Sequence, residues 1–108
     1  MQRFVILHHV LPLEAEQATH WDLMLETDDV LRTWSLDNEP TLAEANTGEA
    51  IADHRKQYLI YQGPISNNRG HVTQIDRGEY QILEESPVKM IVKLSGTKFV
   101  GELELAIR

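Results

Sequence analysis

Val88-Lys89-Met90-Ile91-Val92-Lys93-Leu94-Ser95-Gly96-Thr97-Lys98-Phe99-Val100-Gly101-Glu102-Leu103-Glu104-Leu105-Ala106-Ile107 decides the fold class. Val88, Met90, Val92 and Leu94 alternate with Lys89, Ile91 and Lys93. Phe99, Gly101, Leu103, Leu105 and Ile107 alternate with Val100, Glu102, Glu104 and Ala106. A period of two puts one set of side chains on each face of a strand. Ser95-Gly96-Thr97-Lys98 between the two runs reads as a hairpin turn, with glycine supplying the unusual backbone angles. Working outward, His71 to Ile75 and Glu79 to Leu83 flank Asp76-Arg77-Gly78, read as another turn. Val30 to Leu36 is rich in β-formers, and Phe4 to Leu7 is a short apolar strand. With His20 to Glu26 this makes about seven short strands separated by turns, the pattern of a small antiparallel barrel or sandwich. Helical signals are confined to Leu13 to Thr19, after Pro12, and to Thr41 to Ala45, where Thr41 and Glu44 stand at capping-box positions. The expected fold is mainly β, a small closed or nearly closed antiparallel barrel with one or two short helices.

Length and composition bound the rest. The 108 residues suit one domain over 1–108, and 42 % apolar with 25 % charged residues is ordinary globular usage. No run approaches the roughly 20 apolar residues of a membrane span. The stretch before His8-His9 is too short for a signal peptide. With no cysteine, disulfides and thiolate metal sites are excluded, and a cytoplasmic protein is the simplest expectation. Ten basic against 17 acidic residues give a net charge of −7. A protein that wraps a long duplex carries a basic face. Any nucleic-acid contact here is therefore expected to be local.

His20-Trp21-Asp22-Leu23-Met24-Leu25-Glu26 carries the most chemistry. On a strand, His20 and Asp22 share one face while Trp21, Leu23 and Leu25 point the other way. An imidazole beside a carboxylate suits a borderline divalent cation such as Mn²⁺ or Zn²⁺. The same pattern is equally that of a surface strand whose His and Asp face water. His8 and His9 project oppositely, so at most one joins a shared site. Asp53-His54, close to Tyr58, brings a further imidazole and a phenol. His71 reads as a structural or rim residue. No nucleophile elbow, phosphate-cradling glycine loop or helical His-Glu-x-x-His is present.

Taken in order, these segments resemble the 3′-phosphoesterase domain found at the N-terminus of bacterial DNA ligase D and as stand-alone proteins. That family opens on an Arg-Phe-Val-Ile-x-x-His strand, as in Arg3 to His9. A His-aromatic-Asp-Leu-x-Leu-Glu strand follows, as in His20 to Glu26, then Val-Leu-x-x-Trp, as in Val30 to Trp34. Asp53-His54 with Tyr58, Tyr61-Gln62-Gly63, Asp76-Arg77-Gly78-Glu79-Tyr80 and Leu94-Ser95-Gly96 through Gly101 complete the sequence of motifs.

The resemblance implies a compact barrel holding one Mn²⁺-type cation (Zn²⁺ or Co²⁺ as substitutes) beside a phosphate site. It implies removal of a 3′-terminal ribonucleoside and a 3′-phosphate from DNA or RNA–DNA primer ends, in DNA repair. By position, His9, His20 and Asp22 would ligate the metal, and His54 and Tyr58 would contact the scissile phosphate, making His20, His54 and Tyr58 the catalytic set. Met24 stands where the family usually has an arginine, and the lysine after the Trp strand is lost near Asp37-Asn38-Glu39. Arg69 or Arg55 is expected to substitute from another direction, since charge-assisted contacts hold phosphate best. A separate ligase or polymerase is a partner the resemblance allows, with no membrane, and the chain is expected to be a monomer. Two other readings stand beside the enzyme: a non-catalytic metal-containing module that binds nucleic-acid ends or a repair protein, and an unrelated small barrel with scattered histidines.

Overall fold

A computed structural model describes residues 2–108. Its strands in chain order are β1 (Arg3–Val10), β2 (His20–Glu26), β3 (Leu31–Leu36), β4 (Asn46–His54), β5 (Gly63–Pro64), β6 (His71–Glu85), β7 (Lys89–Gly96) and β8 (Val100–Ile107). They form one sheet in the order β1-β2-β3-β4-β8-β7-β6-β5, and β6 also pairs with β1. That extra pairing closes seven strands into a ring, as the strand pattern leads one to expect. All pairings are antiparallel except β4 with β8.

The hairpin over 88–107 forms as its alternation dictates: Met90, Val92, Leu94, Leu103 and Leu105 are fully buried. Inside the ring they meet Phe4, Ile6, Leu23, Leu25, Trp34 and Leu36. A second, smaller core lies on the ring's outer face. There Val5, Leu7, Met24, Leu31 and Val72 are covered by Tyr58, Leu59, Tyr61 and Ile65. The covering segment starts with one turn of 3₁₀ helix (Lys56–Leu59) and ends as β5 on the edge of β6. This strap buries the sheet face on which the candidate site sits.

Three local expectations are corrected. Asp76-Arg77-Gly78 is no turn: β6 runs unbroken for 15 residues, pairing first with β1 and then with β7. Register shifts opposite Ile6/Leu7 and at Ile82/Glu84 let the strand bend and serve both neighbours. Gly78 is needed for close approach, because a Cβ there would stand 2.1 Å from the Ser95 carbonyl oxygen. The helical expectations at Leu13 to Thr19 and Thr41 to Ala45 also give way to irregular turns. Thr41 Oγ1 does accept from the Ala43 N–H, but the buried Asn46 side chain binds both the N–H and the C=O of Thr41 and turns the chain into β4. Leu13 is fully exposed, so the first segment has no apolar face to bury against the ring. Among the described residues no helix is long and apolar enough to cross a membrane.

Candidate metal centre and phosphate pocket

Adjacent strands bring the first three ligand candidates together. On β2, the alternation sends Leu23 and Leu25 into the ring and puts His20, Asp22, Met24 and Glu26 on the outer face. The register pairs His9 of β1 with His20 and Leu7 with Asp22, so His9 joins the same face. His8 points the other way and stacks on Trp21, ring centres 4.5 Å apart. One imidazole of the His8-His9 pair thus reaches the site, as strand parity requires.

One ligand atom from each of His9, His20 and Asp22 lies within 4.8 Å of the other two. His20 Nε2 is 3.1 Å from Asp22 Oδ1, and His9 Nδ1 is 3.7 Å from Asp22 Oδ2. Each imidazole is oriented from behind by a backbone carbonyl. His20 Nδ1 lies 2.9 Å from the Ala18 oxygen, and His9 Nε2 lies 2.8 Å from the Arg69 oxygen. A carbonyl can only accept, so those nitrogens carry the protons and the opposite nitrogens turn lone pairs toward Asp22. Asp22 Oδ1 is accordingly buried without a hydrogen-bond donor. Burial works against charge on both groups, yet when the facing imidazole nitrogens are protonated instead they donate to Asp22, which holds its carboxyl below its usual range and lifts His20 above its own. Two imidazole lone pairs and an under-satisfied carboxylate form a pocket that wants a cation, and a nitrogen–oxygen donor set fits a borderline divalent metal.

The strap supplies the other half. His54 ends β4, where it pairs with Leu31 of β3, and Tyr58 sits on the 3₁₀ turn. Their rings meet edge to face, 5.5 Å between centres. His54 Nδ1 lies 3.0 Å from the Ala52 carbonyl oxygen, so this imidazole also presents Nε2 outward. A cavity of about 250 Å³ has His9, Asp22, His54, Tyr58, Arg55 and Arg69 on its walls. His20 closes the ligand group from behind and borders a separate cleft beside Ser35 and Glu49. Arg69 is folded onto its own loop through Ser66, while Arg55 is exposed. Met24 also lines the cavity, yet is only 1 % exposed and packs in the outer core. His71 is exposed at the start of β6, away from this wall.

Two supports escape a reading of the sequence. Glu26 takes hydrogen bonds from Arg3 N (2.9 Å), Nε (3.1 Å) and Nη2 (2.9 Å), and from Lys56 Nζ at 3.1 Å. This clamp ties the root of the strap to β1 and β2. Glu26 has the same strand parity as His20 and Asp22, a signal of shared face, but nothing in the sequence announces Lys56 as its partner. The Arg69 carbonyl that orients His9 is a backbone group and leaves no side-chain signature. Asn67 and Asn68 at φ 64° and 54°, followed by Gly70 at φ 82°, mark the tight left-handed loop that aims it.

Fold and site together describe a small β domain in which a His-His-Asp group that could hold a divalent cation adjoins a cavity rich in hydrogen-bonding and basic groups. The family model of the DNA Ligase D 3′-phosphoesterase domain matches residues 13–107, and the chain belongs to that family. The matched stretch holds His20, Asp22, His54 and Tyr58, while His9 on β1 precedes it. No curated protein matches the sequence.

Proposed function

We propose that the protein is a metal-dependent 3′-end-processing phosphoesterase that removes a 3′-phosphate or a 3′-terminal ribonucleoside from DNA or RNA–DNA ends during repair. The convergence of His9, His20 and Asp22, two of which (His9 and Asp22) line the cavity that holds His54 and Tyr58, carries this reading. His9 Nδ1, His20 Nε2 and an Asp22 oxygen would hold the cation, Mn²⁺ first, with Zn²⁺ or Co²⁺ as substitutes. When bound, such an ion supplies positive charge that polarises phosphoryl oxygens. Tyr58 donates a hydrogen bond from its hydroxyl to a phosphoryl oxygen. His54 Nε2 exchanges a proton with the oxygen that leaves. In phosphate removal, water adds to phosphorus and the P–O bond to the 3′ carbon's oxygen breaks. That oxygen takes the Nε2 proton of imidazolium His54 and departs as a 3′-hydroxyl, and the proton lost by the added water returns to His54 through solvent. Arg55 and Arg69 balance the phosphate charge from the rim.

A second reading, a non-catalytic module that binds ends or a repair protein, draws on Met24. A buried methionine packed among Val5, Leu7 and Leu31 offers no charge where relatives usually carry arginine. A labelled primer–template ending in a 3′-phosphate or one 3′-ribonucleotide separates the two. Incubation with and without Mn²⁺, with His20→Ala as blank, is expected to give metal-dependent conversion to a 3′-hydroxyl. Stoichiometric metal without conversion establishes the module instead.

A further inference from the structure

A second groove, of about 430 Å³, lies on the same outer face, across the strap from the site. Arg3, Arg77, Glu79, Thr97, Leu59 and Ile60 line it. Cross-strand pairing sets Val5 opposite Arg77 and Arg3 opposite Glu79. The Arg3 side chain is 58 % exposed although bound to Glu26. Among the described residues no carboxylate lies within 4.0 Å of the Arg77 guanidinium, and Ile60 is 74 % exposed at the edge.

Charge singles this face out. The site, the strap clamp and the groove together hold Arg3, Arg55, Lys56, Arg69 and Arg77 against Asp22, Glu26, Asp53 and Glu79. Half of the ten basic residues thus face four of the 17 acidic ones, so this face carries about +1 and the remaining residues about −8 of the net charge of −7. Polyanions approach such a molecule from one side only.

Resting on the phosphoesterase reading, we infer that this groove seats the sugar–phosphate backbone of the strand whose 3′ end enters the metal site, with Arg77 as its anchor. His9 and Arg3 stand six residues apart on β1, about 20 Å along the strand, which spans about six nucleotides of a B-form strand. Arg77 binds a phosphate at the far end of that path. The exposed Ile60 lies under a sugar or base, and the strap forms the saddle between the two ends. A terminal nucleotide alone reaches only the first cavity, so a longer strand gains contacts that a dinucleotide cannot.

Fluorescence anisotropy on a labelled primer–template and on a labelled dinucleotide, both carrying the 3′-hydroxyl end that the reaction leaves and both with Mn²⁺, tests this without turnover. Wild-type protein should hold the primer–template at least tenfold tighter than the dinucleotide. Arg77→Ala should weaken only the longer ligand, about fivefold to tenfold, and lower its salt slope by about 0.7–0.9. Arg77→Lys should restore most of the slope, which separates charge from folding. If length gives no gain, or if Arg77→Ala binds the primer–template as wild type does, the groove has no such role while the phosphoesterase reading stands. If wild type binds neither ligand and leaves a 3′-phosphate intact, that reading falls and this one with it.

Discussion

Asp76 is buried in the middle of β6, yet it governs a loop about 20 residues away. Its carboxylate accepts the backbone N–H groups of Thr97 (2.9 Å), Lys98 (3.0 Å) and Phe99 (2.8 Å) at the tip of the β7–β8 hairpin. Burial works against the charge, but these donors and the Arg77 N–H outweigh it and hold the carboxyl below its usual range. Gly96 leaves the space, since a Cβ there would sit 2.3 Å from Asp76 Oδ2. Asp76→Ala strands several donors at once and should destabilise the fold by about 2–4 kcal/mol in urea titration at pH 7. Because the folded carboxyl has the lower pKa, its contribution is complete above the unfolded value of about 4 and is lost as pH falls through the folded value. The gap between wild type and variant should therefore narrow when the same titration is run below pH 4; an unchanged gap would show that the charge is immaterial. Asp76-Arg77-Gly78 misleads at this scale because Asp and Gly in a turn are the same letters as a capping carboxylate and a close-approach glycine. Parity says that only one of His8 and His9 shares a face with His20, and the family resemblance rather than parity picks His9.

Whole strands with a strong alternation are readable, and those with small polar residues are not. The 88–107 hairpin and β2 need only period-two patterning to be placed. In β4, Asn46-Thr47-Gly48-Glu49-Ala50 has no alternating apolar set, because one end is held by Asn46 side-chain hydrogen bonds and Gly48 presses against the Ser35 carbonyl oxygen. The strap is equally silent, since its position depends on Glu26, Arg3 and Lys56 meeting across three elements. The Arg3 hydrogen bond, chiefly, holds the Glu26 carboxyl at about 2. The clamp's contribution is present above the unfolded value of about 4.3 and disappears as pH falls toward 2. Glu26→Gln should raise hydrogen exchange in residues 56–65 at neutral pH while the 88–107 hairpin keeps its protection; equal protection in both proteins would remove the clamp from the account. The loop after the strap is coupled to the proposed metal ligands in the same physical way. A Cβ on Gly70 would stand 1.8 Å from the Val10 carbonyl oxygen, at a φ of 82° that side chains avoid. Gly70→Ala must displace the Arg69 carbonyl that fixes the His9 tautomer. Mn²⁺ affinity, followed by calorimetry, should fall about tenfold to hundredfold. An affinity like that of wild type would mean that His9 needs no such support.

At the scale of the molecule, a ring of seven strands buries one apolar core inside, and a short strap adds a second outside. The division explains why the site's polar residues are buried at all: they lie on the sheet's outer face, under the strap rather than in the ring. It also reconciles an acidic protein with the polyanionic ligand proposed for it. Three cations outside the clamp, Arg55, Arg69 and Arg77, face the proposed path, whereas Arg32 is spent on Glu85, Arg108 on Asp37 and Lys89 on Glu84. Each neutralised phosphate contributes about −0.9 to the slope of log affinity against log salt for duplex DNA, so three contacts predict a slope of about −2.7. Between 50 and 200 mM salt that is a loss of about fortyfold, far gentler than proteins that grip six to ten phosphates. Anisotropy titrations of a primer–template across this range read the slope directly. A value steeper than about −6 would require contacts that the rest of this acidic surface does not offer, and would place the nucleic acid on a different face from the metal site.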